Sequence, residues 1–338
     1  MRPAVRFTAA MALAAGLVLA PSMGATWGNT GHRLVGTLAV EGLPAEVPAF
    51  LRGKAAMAEL GELAREPDRS KGSGRIHDSN RDPAHFVDLG EDGRVLGGPL
   101  MTDLPPTRAE YEKSLQAAGV DSWKAGYLQY STIDAYQQLV KDFGYWRVDV
   151  AAGKRAKGAR KAWYKADRVR REKLLLANLG NLAHYVGDGS QPLHVSIHYN
   201  GWGDYPNPKA YTTDKIHGPF EAEFVAGAVT APMARAAMKP FTDCGCPIEK
   251  RVLAYLTKTQ TYVEPLYQQW GAGAFRPGST KGADFAAERI GAGASELRDL
   301  IVLAWRDSTT VKVGWPTVSV ADVEAGRVDP WDAMVGLD

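Results

Sequence analysis

The residues with the clearest chemical potential are three metal-type ligands that fall within eleven positions, His184, Asp188 and His194. Residues four apart on a helix share one face, so the imidazole of His184 and the carboxylate of Asp188 can point at one ion. Pro192 ends that helix and places His194 in the loop that follows. Taken alone, this pattern is more typical of a buried histidine that hydrogen-bonds a carboxylate than of a metal site.

Further histidines and acids occur at spacings that could complete such a site. Asp68 precedes His85 in a segment rich in glycine and proline, and His217 precedes Glu221 by four residues. Pro219 is typical of a first helical turn, which places His217 at the start of its helix. A set of imidazoles and carboxylates suits Zn²⁺ or another divalent first-row ion, and such ions activate water for attack on phosphoryl groups.

The elements that position these residues are predicted to be helices. The helix before His184 has an apolar stripe at Leu175, Leu179, Leu182 and Val186, a spacing that faces a core. Helical patterns also occur within residues 27–60, 133–150, 248–270 and 283–307, and a capping box at Thr107–Glu110 opens another helix. Helical patterns greatly outnumber strand patterns, so the predicted fold class is all-α.

The predicted domain is a single compact multi-helix unit over residues 27–338. Its irregular part, residues 68–98, contains a small predicted β-hairpin between His85 and Gly93. Residues 309–338 are predicted to form an irregular tail. A strongly basic run at residues 154–173 is more typical of a solvated helix face than of a flank that contacts phosphates.

Residues 1–26 have the three parts of a secretory signal peptide. Arg2 and Arg6 precede an apolar run from Met11 to Ala20, and small residues follow up to Thr26. We therefore expect a secreted or periplasmic soluble protein without stable membrane insertion. Without this segment and its two arginines, basic and acidic residues balance, so no global field attracts a polyanion. The two cysteines, Cys244 and Cys246, can form a disulfide or remain thiols.

In chain order, the candidate ligands resemble those of the secreted trinuclear zinc enzymes, a group that comprises the S1/P1-type nucleases and the zinc-dependent phospholipases C. The resemblance covers the chain from Trp27 to Glu221. The matching positions are Trp27, His32, Asp68, the run His85-Phe-Val-Asp88, His184, Asp188, His194, His217 and Glu221. His77 and His198 match no ligand position.

The resemblance implies a centre of three zinc ions. One would be held by Asp68, His85, His184 and Asp188, a second by His194, His217 and Glu221, and a third by the α-amine and carbonyl of Trp27, by His32 and by Asp188. The third site requires a chain that begins at Trp27, and signal cleavage after Ala25 fits the sequence as well as cleavage after Thr26.

The resemblance also implies roles in catalysis and substrate binding. Asp68 would orient the attacking hydroxide, and Phe86 and Asp88 would stack on and hydrogen-bond a nucleobase. Lys71 lies three residues after Asp68, where the nucleases tend to have arginine. A lysine ammonium group therefore replaces a guanidinium group that could bind the transition-state phosphate with two parallel hydrogen bonds.

Two branches of this group compete as the predicted function. The spacing between Trp27 and His32 resembles that of the nucleases, whereas a glutamate at the position of Glu221 is typical of the phospholipases. We predict an endonuclease that hydrolyses single-stranded RNA and DNA to 5′-nucleotides, with 3′-nucleotidase activity as a second reaction. The alternatives are a phospholipase C acting on phosphatidylcholine-type lipids and a zinc-binding protein without turnover. The expected partner is single-stranded nucleic acid or a nucleotide, with no protein partner and a monomeric chain.

Overall fold

Two long neighbouring helices, Leu128–Arg155 and Gly158–Ser190, make the most extensive helix contact in the protein. The structure is a computed structural model that describes residues 27–336. In chain order, the α-helices are α1 (Gly28–Glu41), α2 (Lys54–Leu63), α3 (Glu66–Arg69), α4 (Arg75–Asp78), α5 (Arg108–Ala117), α6 (Ser122–Ala125), α7 (Leu128–Arg155), α8 (Gly158–Ser190), α9 (Val225–Ala228), α10 (Ala231–Ala237), α11 (Ile248–Gln260), α12 (Val263–Gly271), α13 (Thr280–Asp307), α14 (Val320–Glu324) and α15 (Trp331–Val335).

The remaining regular structure is short. Turns of 3₁₀ helix lie at Ala49–Leu51, Asp82–His85, Met101–Asp103 and Pro192–His194, a π-helical segment spans Pro219–Phe224, and strand β1 (Lys312–Val313) pairs antiparallel with β2 (Val318–Ser319). Helix makes up 64% of the chain and strand 3%, so the prediction of an all-α, compact single domain is confirmed.

Helix α8 lies at the centre of the fold. Its predicted apolar stripe is confirmed, because Leu175, Leu179, Leu182 and Val186 are all fully buried. The helix ends at Ser190, and the 3₁₀ turn that begins at Pro192 follows it. Both the core face and the end of this helix therefore follow from the sequence pattern.

Two glycines let other helices approach α8 closely. A Cβ atom on Gly180 would lie 2.6 Å from Cβ of Leu63, at the end of α2, and one on Gly187 would lie 2.8 Å from Nδ1 of His32 in α1. Real Cβ atoms do not approach other atoms so closely. Gly187 thus creates the space in which the His32 ring packs against the helix that carries His184 and Asp188.

The small hairpin lies elsewhere than predicted. After His85 the chain turns at Gly90–Gly93 but makes only isolated bridges, which pair Leu89 with Val95 and Arg94 with Leu100. Leu96 has a positive φ of 45°, which interrupts the extended conformation that a second strand would need.

The tail after Thr309, which was predicted to be irregular, instead contains β1, β2, α14 and α15. Val313, Val320 and Val323 are fully buried and form a small apolar cluster with Val148 of α7 and Tyr164 of α8. The burial of these side chains favours regular structure in a segment too short to show it by periodicity.

Other predictions have mixed outcomes. The capping box that opens α5 is present, whereas the helix predicted over residues 248–270 is divided into α11 and α12. Cys244 and Cys246 form a disulfide. The predicted signal peptide lies outside the described residues. Between residues 27 and 336, no helix combines the length and the apolar character that crossing a membrane would require.

Candidate metal centre

Eight of the nine predicted ligands bring their side chains together around the C-terminal end of α8. They are His32 from α1, Asp68 from α3, His85 at the end of the 3₁₀ turn Asp82–His85, His184 and Asp188 from α8, His194 from the turn Pro192–His194, and His217 and Glu221 from the helical segment before α9. Their donor atoms form three groups that could each hold a metal ion. The groups are His32, Asp68 and His184; His85, His184 and Asp188; and His194, His217 and Glu221.

The group on α8 is the most compact. Nε2 of His184 lies 2.8 Å from Nδ1 of His85 and 3.2 Å from Oδ2 of Asp188, and the last two atoms are 3.0 Å apart. Oδ1 of Asp68 lies 3.8 Å from each of the two ring nitrogens. Four donor atoms from three separate chain segments therefore face one small volume.

His32 joins this group to the other carboxylate oxygen of Asp188. Its ring stacks on the ring of His184 with centroids 3.9 Å apart, and its Nε2 lies 3.4 Å from Oδ1 of Asp188. The same Oδ1 atom lies 3.8 Å from the ring of His194. Asp188, which is fully buried, is thus the carboxylate that all the groups share as a neighbour.

The third group lies beside the π-helical segment. Nε2 of His217 is 3.0 Å from Oε2 of Glu221 and 3.2 Å from Nε2 of His194. The sequence places His217 at the start of its helix, and the wider π turn still leaves the two side chains in contact. Segments of π helix are frequent at functional sites.

Three of the imidazoles are held in one orientation by the same kind of hydrogen bond. In each, Nδ1 bonds a backbone carbonyl oxygen: His184 that of Ala64 at 2.8 Å, His194 that of His85 at 2.7 Å, and His217 that of Tyr199 at 2.8 Å. A carbonyl can only accept, so each Nδ1 carries the proton. In the neutral ring Nε2 then has a lone pair, and all three Nε2 atoms point into the groups, as in metal-binding histidines.

Electrostatics at the site show how strongly the carboxylates require positive charge. Burial by itself would raise the pKa of Asp188, but the imidazoles of His184 and His194 outweigh burial and hold it well below its usual range. Burial would also raise the pKa of Glu221, but the neighbouring imidazoles of His217 and His194 outweigh burial and lower it.

The histidines respond unequally to the same burial. Burial lowers the pKa of His85 to about 4. For His194, the charges of Asp188 and Glu221 overcome burial and raise the pKa to about 9. Crowded imidazoles cannot all be protonated, so protons alone neutralise these buried acids only in part.

Several buried polar atoms of the site are consistent with a bound cation. Both ring nitrogens of His32, Nε2 of His85, Oδ1 of Asp188 and Oε1 of Glu221 have no hydrogen-bond partner among residues 27–336. Buried polar atoms in proteins are nearly always paired or bound to an ion. The donor set of nitrogen and oxygen atoms suits a divalent first-row metal.

Trp27, the ninth predicted ligand, is fully buried next to the site. Its indole Nε1 donates to Oγ of Ser190 at 2.8 Å, and its ring packs against Phe220. Its carbonyl accepts from the backbone N–H of Gly31. The side chain therefore anchors the start of α1 beside the end of α8.

The predicted catalytic and substrate residues lie near these groups. Nζ of Lys71 is 2.9 Å from Oδ1 of Asp68, and the two side chains are 18% and 26% exposed. Phe86 is half-buried and follows His85 directly. Burial raises the pKa of Asp88 well above its usual value.

Sequence reasoning missed the residue that orients Glu221. Gln191 is fully buried, and its Nε2 donates to Oε2 of Glu221 at 2.9 Å while its Oε1 accepts from the backbone N–H of Leu193 at 2.8 Å. The only signal was its position between Asp188 and His194. His77 and His198 lie outside the three groups: His77 bonds Asp78, and His198 stacks on Trp202.

No protein-family model matches this chain, and a search of the curated proteins found no matching relative.

Proposed function

We propose that the protein is a secreted zinc-dependent phosphodiesterase of the nuclease type, which hydrolyses single-stranded RNA and DNA to 5′-nucleotides and also removes 3′-phosphates. The observation that carries the proposal is the convergence of three Nε2 lone pairs, the buried carboxylates of Asp188 and Glu221 and the partly exposed carboxylate of Asp68 on one small region. The ordered resemblance from Trp27 to Glu221 adds the substrate class.

We assign the residues to three ions that share the carboxylate of Asp188. Asp68, His85, His184 and Asp188 would hold the first, His194, His217 and Glu221 the second, and His32, Asp188 and the freed amine and carbonyl of Trp27 the third. Zinc bound there would supply a Lewis acid and water of lowered pKa. The third ion depends on signal cleavage directly before Trp27.

Exposure indicates the side from which a substrate would approach. Asp188 and Glu221 are fully buried, whereas Asp68, Lys71 and His217 are partly exposed. Asp68, at this rim, would accept a hydrogen bond from the attacking water and orient it toward phosphorus. The ammonium group of Lys71, held by Asp68, would neutralise charge on the phosphate oxygens.

Phe86 and Asp88 would contact the base next to the scissile phosphate. The half-buried ring of Phe86 offers a stacking surface, and the carboxyl group of Asp88 offers hydrogen bonds to a base edge. Secretion is supported by the signal-like segment and by the disulfide, since disulfides persist in oxidising compartments.

Phospholipase C activity is the second candidate, since a glutamate at the position of Glu221 is typical of the phospholipases. The deciding experiment incubates the mature, zinc-loaded protein separately with a single-stranded oligonucleotide and with phosphatidylcholine vesicles. We expect 5′-nucleotides and no diacylglycerol. Release of diacylglycerol alone would make the protein a phospholipase, and bound zinc without either product would make it a binding protein.

A pair of variants controls this experiment. His184→Ala removes an imidazole shared by two of the groups, and we expect it to abolish hydrolysis and lower the zinc content. His77→Ala removes a partly exposed imidazole outside the groups and should leave both unchanged.

A further inference from the structure

A cavity of about 650 Å³ lies beside the candidate metal centre. Tyr185 borders both, because its ring lines the cavity and lies with its centroid 5.9 Å from the rings of His85 and of His184. Helix α8 contributes Asn181 and Asn178 to the same wall. None of the eight converging ligands lines this cavity, so it is a separate compartment of the described structure.

The cavity contains a buried amide whose hydrogen bonding is incomplete. Gln129, near the start of α7, is fully buried and lines the cavity. Burial raises the pKa of the neighbouring Tyr111, and the Gln129 amide opposes that rise, yet neither Oε1 nor Nε2 of Gln129 makes a hydrogen bond of normal geometry within residues 27–336. Because leaving a buried polar group unpaired is unfavourable, a ligand that pairs with this amide would gain affinity.

The charges of the lining disfavour a phosphate group. Asp134 and Glu249 contribute two carboxylates, and none of the lysines within residues 27–336 lines the cavity. The one guanidinium, of Arg108, lies 3.6 Å above the ring of Tyr127 and donates to Glu112 at 2.9 Å, so it is already engaged. An anion would meet net negative charge here, whereas an uncharged polar ligand would not.

The other lining groups suit a planar ring that carries hydrogen-bonding edges. They are the rings of Tyr127, Tyr130 and Tyr185 and the amides of Asn80, Gln137, Gln138, Asn178 and Asn181. Three of these amides, those of Asn80, Gln138 and Asn178, already donate one hydrogen bond each, to the carbonyl of Ile76 or to Asp142. Aromatic side chains provide surfaces for bases, and amides donate and accept at adjacent atoms. Such a lining recognises a nucleoside better than it recognises its phosphate.

We propose that this cavity binds the nucleoside portion of a nucleotide that flanks the scissile phosphodiester, with the Gln129 amide pairing with adjacent N–H and C=O groups of the base. Uracil, thymine and guanine present such an edge. This inference rests on the proposed function, because the nearness of Tyr185 to His85 and His184 is what links the cavity to the reacting phosphate. It adds a subsite distinct from Phe86 and Asp88, which do not line the cavity.

Calorimetric titration of the zinc-loaded protein with uridine tests the subsite without any hydrolysis. We expect saturable binding that Gln129→Leu weakens by about tenfold or more, because the paired amide is lost while the side-chain volume is nearly kept. Asn181→Ala, at an exposed lining position that cannot disturb the core, should weaken binding to a smaller extent. Gln116→Leu, an exposed change outside the cavity, should leave the affinity unchanged. Phe86→Ala should weaken only the uridine that binds at Phe86 and Asp88, so the binding that depends on Gln129 should persist in that variant.

Two results would overturn the proposal. One is an affinity for uridine that Asn181→Ala and any folded Gln129→Leu leave unchanged, or the loss of all saturable binding in Phe86→Ala. The other is tighter binding of N-acetylglucosamine than of uridine, which would assign the cavity to a sugar. Oligonucleotide cleavage with uridine binding independent of Gln129 would refute the subsite and keep the nuclease. Uridine binding that depends on Gln129, in a protein that does not cleave oligonucleotides, would keep the subsite and refute the nuclease activity.

Discussion

The Nε2 atoms of His194 and His217 face each other across 3.2 Å, although both rings donate their Nδ1 protons to backbone carbonyls. In their neutral forms the two rings therefore direct lone pairs at each other and at the carboxylate of Glu221, which lies 3.0 Å from His217. Only a positive charge between them makes this arrangement favourable, and a proton can satisfy just one pair of atoms. A metal ion satisfies all three.

Removal of His217 should therefore cost one metal ion. His217→Ala leaves two protein ligands in its group, so we expect the protein to bind about one ion fewer per chain and to lose at least about 100-fold in hydrolysis of oligonucleotides. Because His217 is partly exposed, the fold should persist, as circular dichroism would show. An unchanged metal content in this variant would contradict the assignment.

Gln191 should act on metal affinity through Glu221. Gln191→Met removes the amide that donates to Oε2 of Glu221 while keeping an unbranched side chain of similar length. Loss of a partner that orients a ligand typically weakens metal binding about 10–100-fold, which competition with a fluorescent zinc chelator would measure. Gln116→Met, at an exposed position of α5, is the matched control and should have no effect. Equal affinities in the two variants would show that Gln191 does not position Glu221.

Gly187 should be needed for the position of His32. A Cβ atom there would lie 2.8 Å from Nδ1 of His32, so Gly187→Ala should displace that ring and destabilise the protein by about 1–3 kcal/mol. Gly227→Ala in α9 is the control, because a Cβ atom at Gly227 meets nothing within 4 Å in the described structure. The control should be neutral or slightly stabilising. Equal unfolding midpoints for the two variants in urea would rule out the clash.

Asp149 should make stability fall as pH rises. Burial and the neighbouring Asp167 raise its pKa from 3.8 to about 8, against the opposing charges of Arg171 and Arg170. The folded protein then holds a proton that the unfolded chain releases above about pH 4, so stability is full below that pH and is lost as pH rises toward about 8.

Asp149→Asn removes this dependence. We expect its free energy of unfolding, relative to that of the native protein, to rise by about 1–3 kcal/mol between about pH 5 and about pH 9. Asp103→Asn changes an exposed aspartate and should follow the native protein. Parallel stability curves for Asp149→Asn and the native protein would exclude a raised pKa at this position.

Spacing within one helix could be predicted from the sequence, and contacts between distant segments could not. The stripe from Leu175 to Val186 and the pairing of His184 with Asp188 follow from helical periodicity. The role of Gln191 does not, because its partner Glu221 lies 30 residues away on another element. Likewise, the need for glycine at position 187 arises only when α1 packs against α8.

The irregular parts of the chain were the least predictable. The turn after His85 has the residues of a hairpin, but Leu96 adopts a conformation that no spacing rule anticipates. In the tail, Val313 and Val320 form regular structure because tertiary burial stabilises it. The carbonyl bonds that orient the three imidazoles also depend on tertiary packing, since Ala64, His85 and Tyr199 lie far along the chain from the rings that they hold.

Elemental analysis of the purified mature protein by plasma mass spectrometry, before and after dialysis against a chelator, tests directly whether hydrolysis depends on bound zinc. We expect about two to three zinc ions per chain. Dialysis against the chelator should remove the zinc and the nuclease activity together, and added Zn²⁺ should restore both. Protein that contains no divalent metal and still cleaves single-stranded oligonucleotides would contradict this dependence.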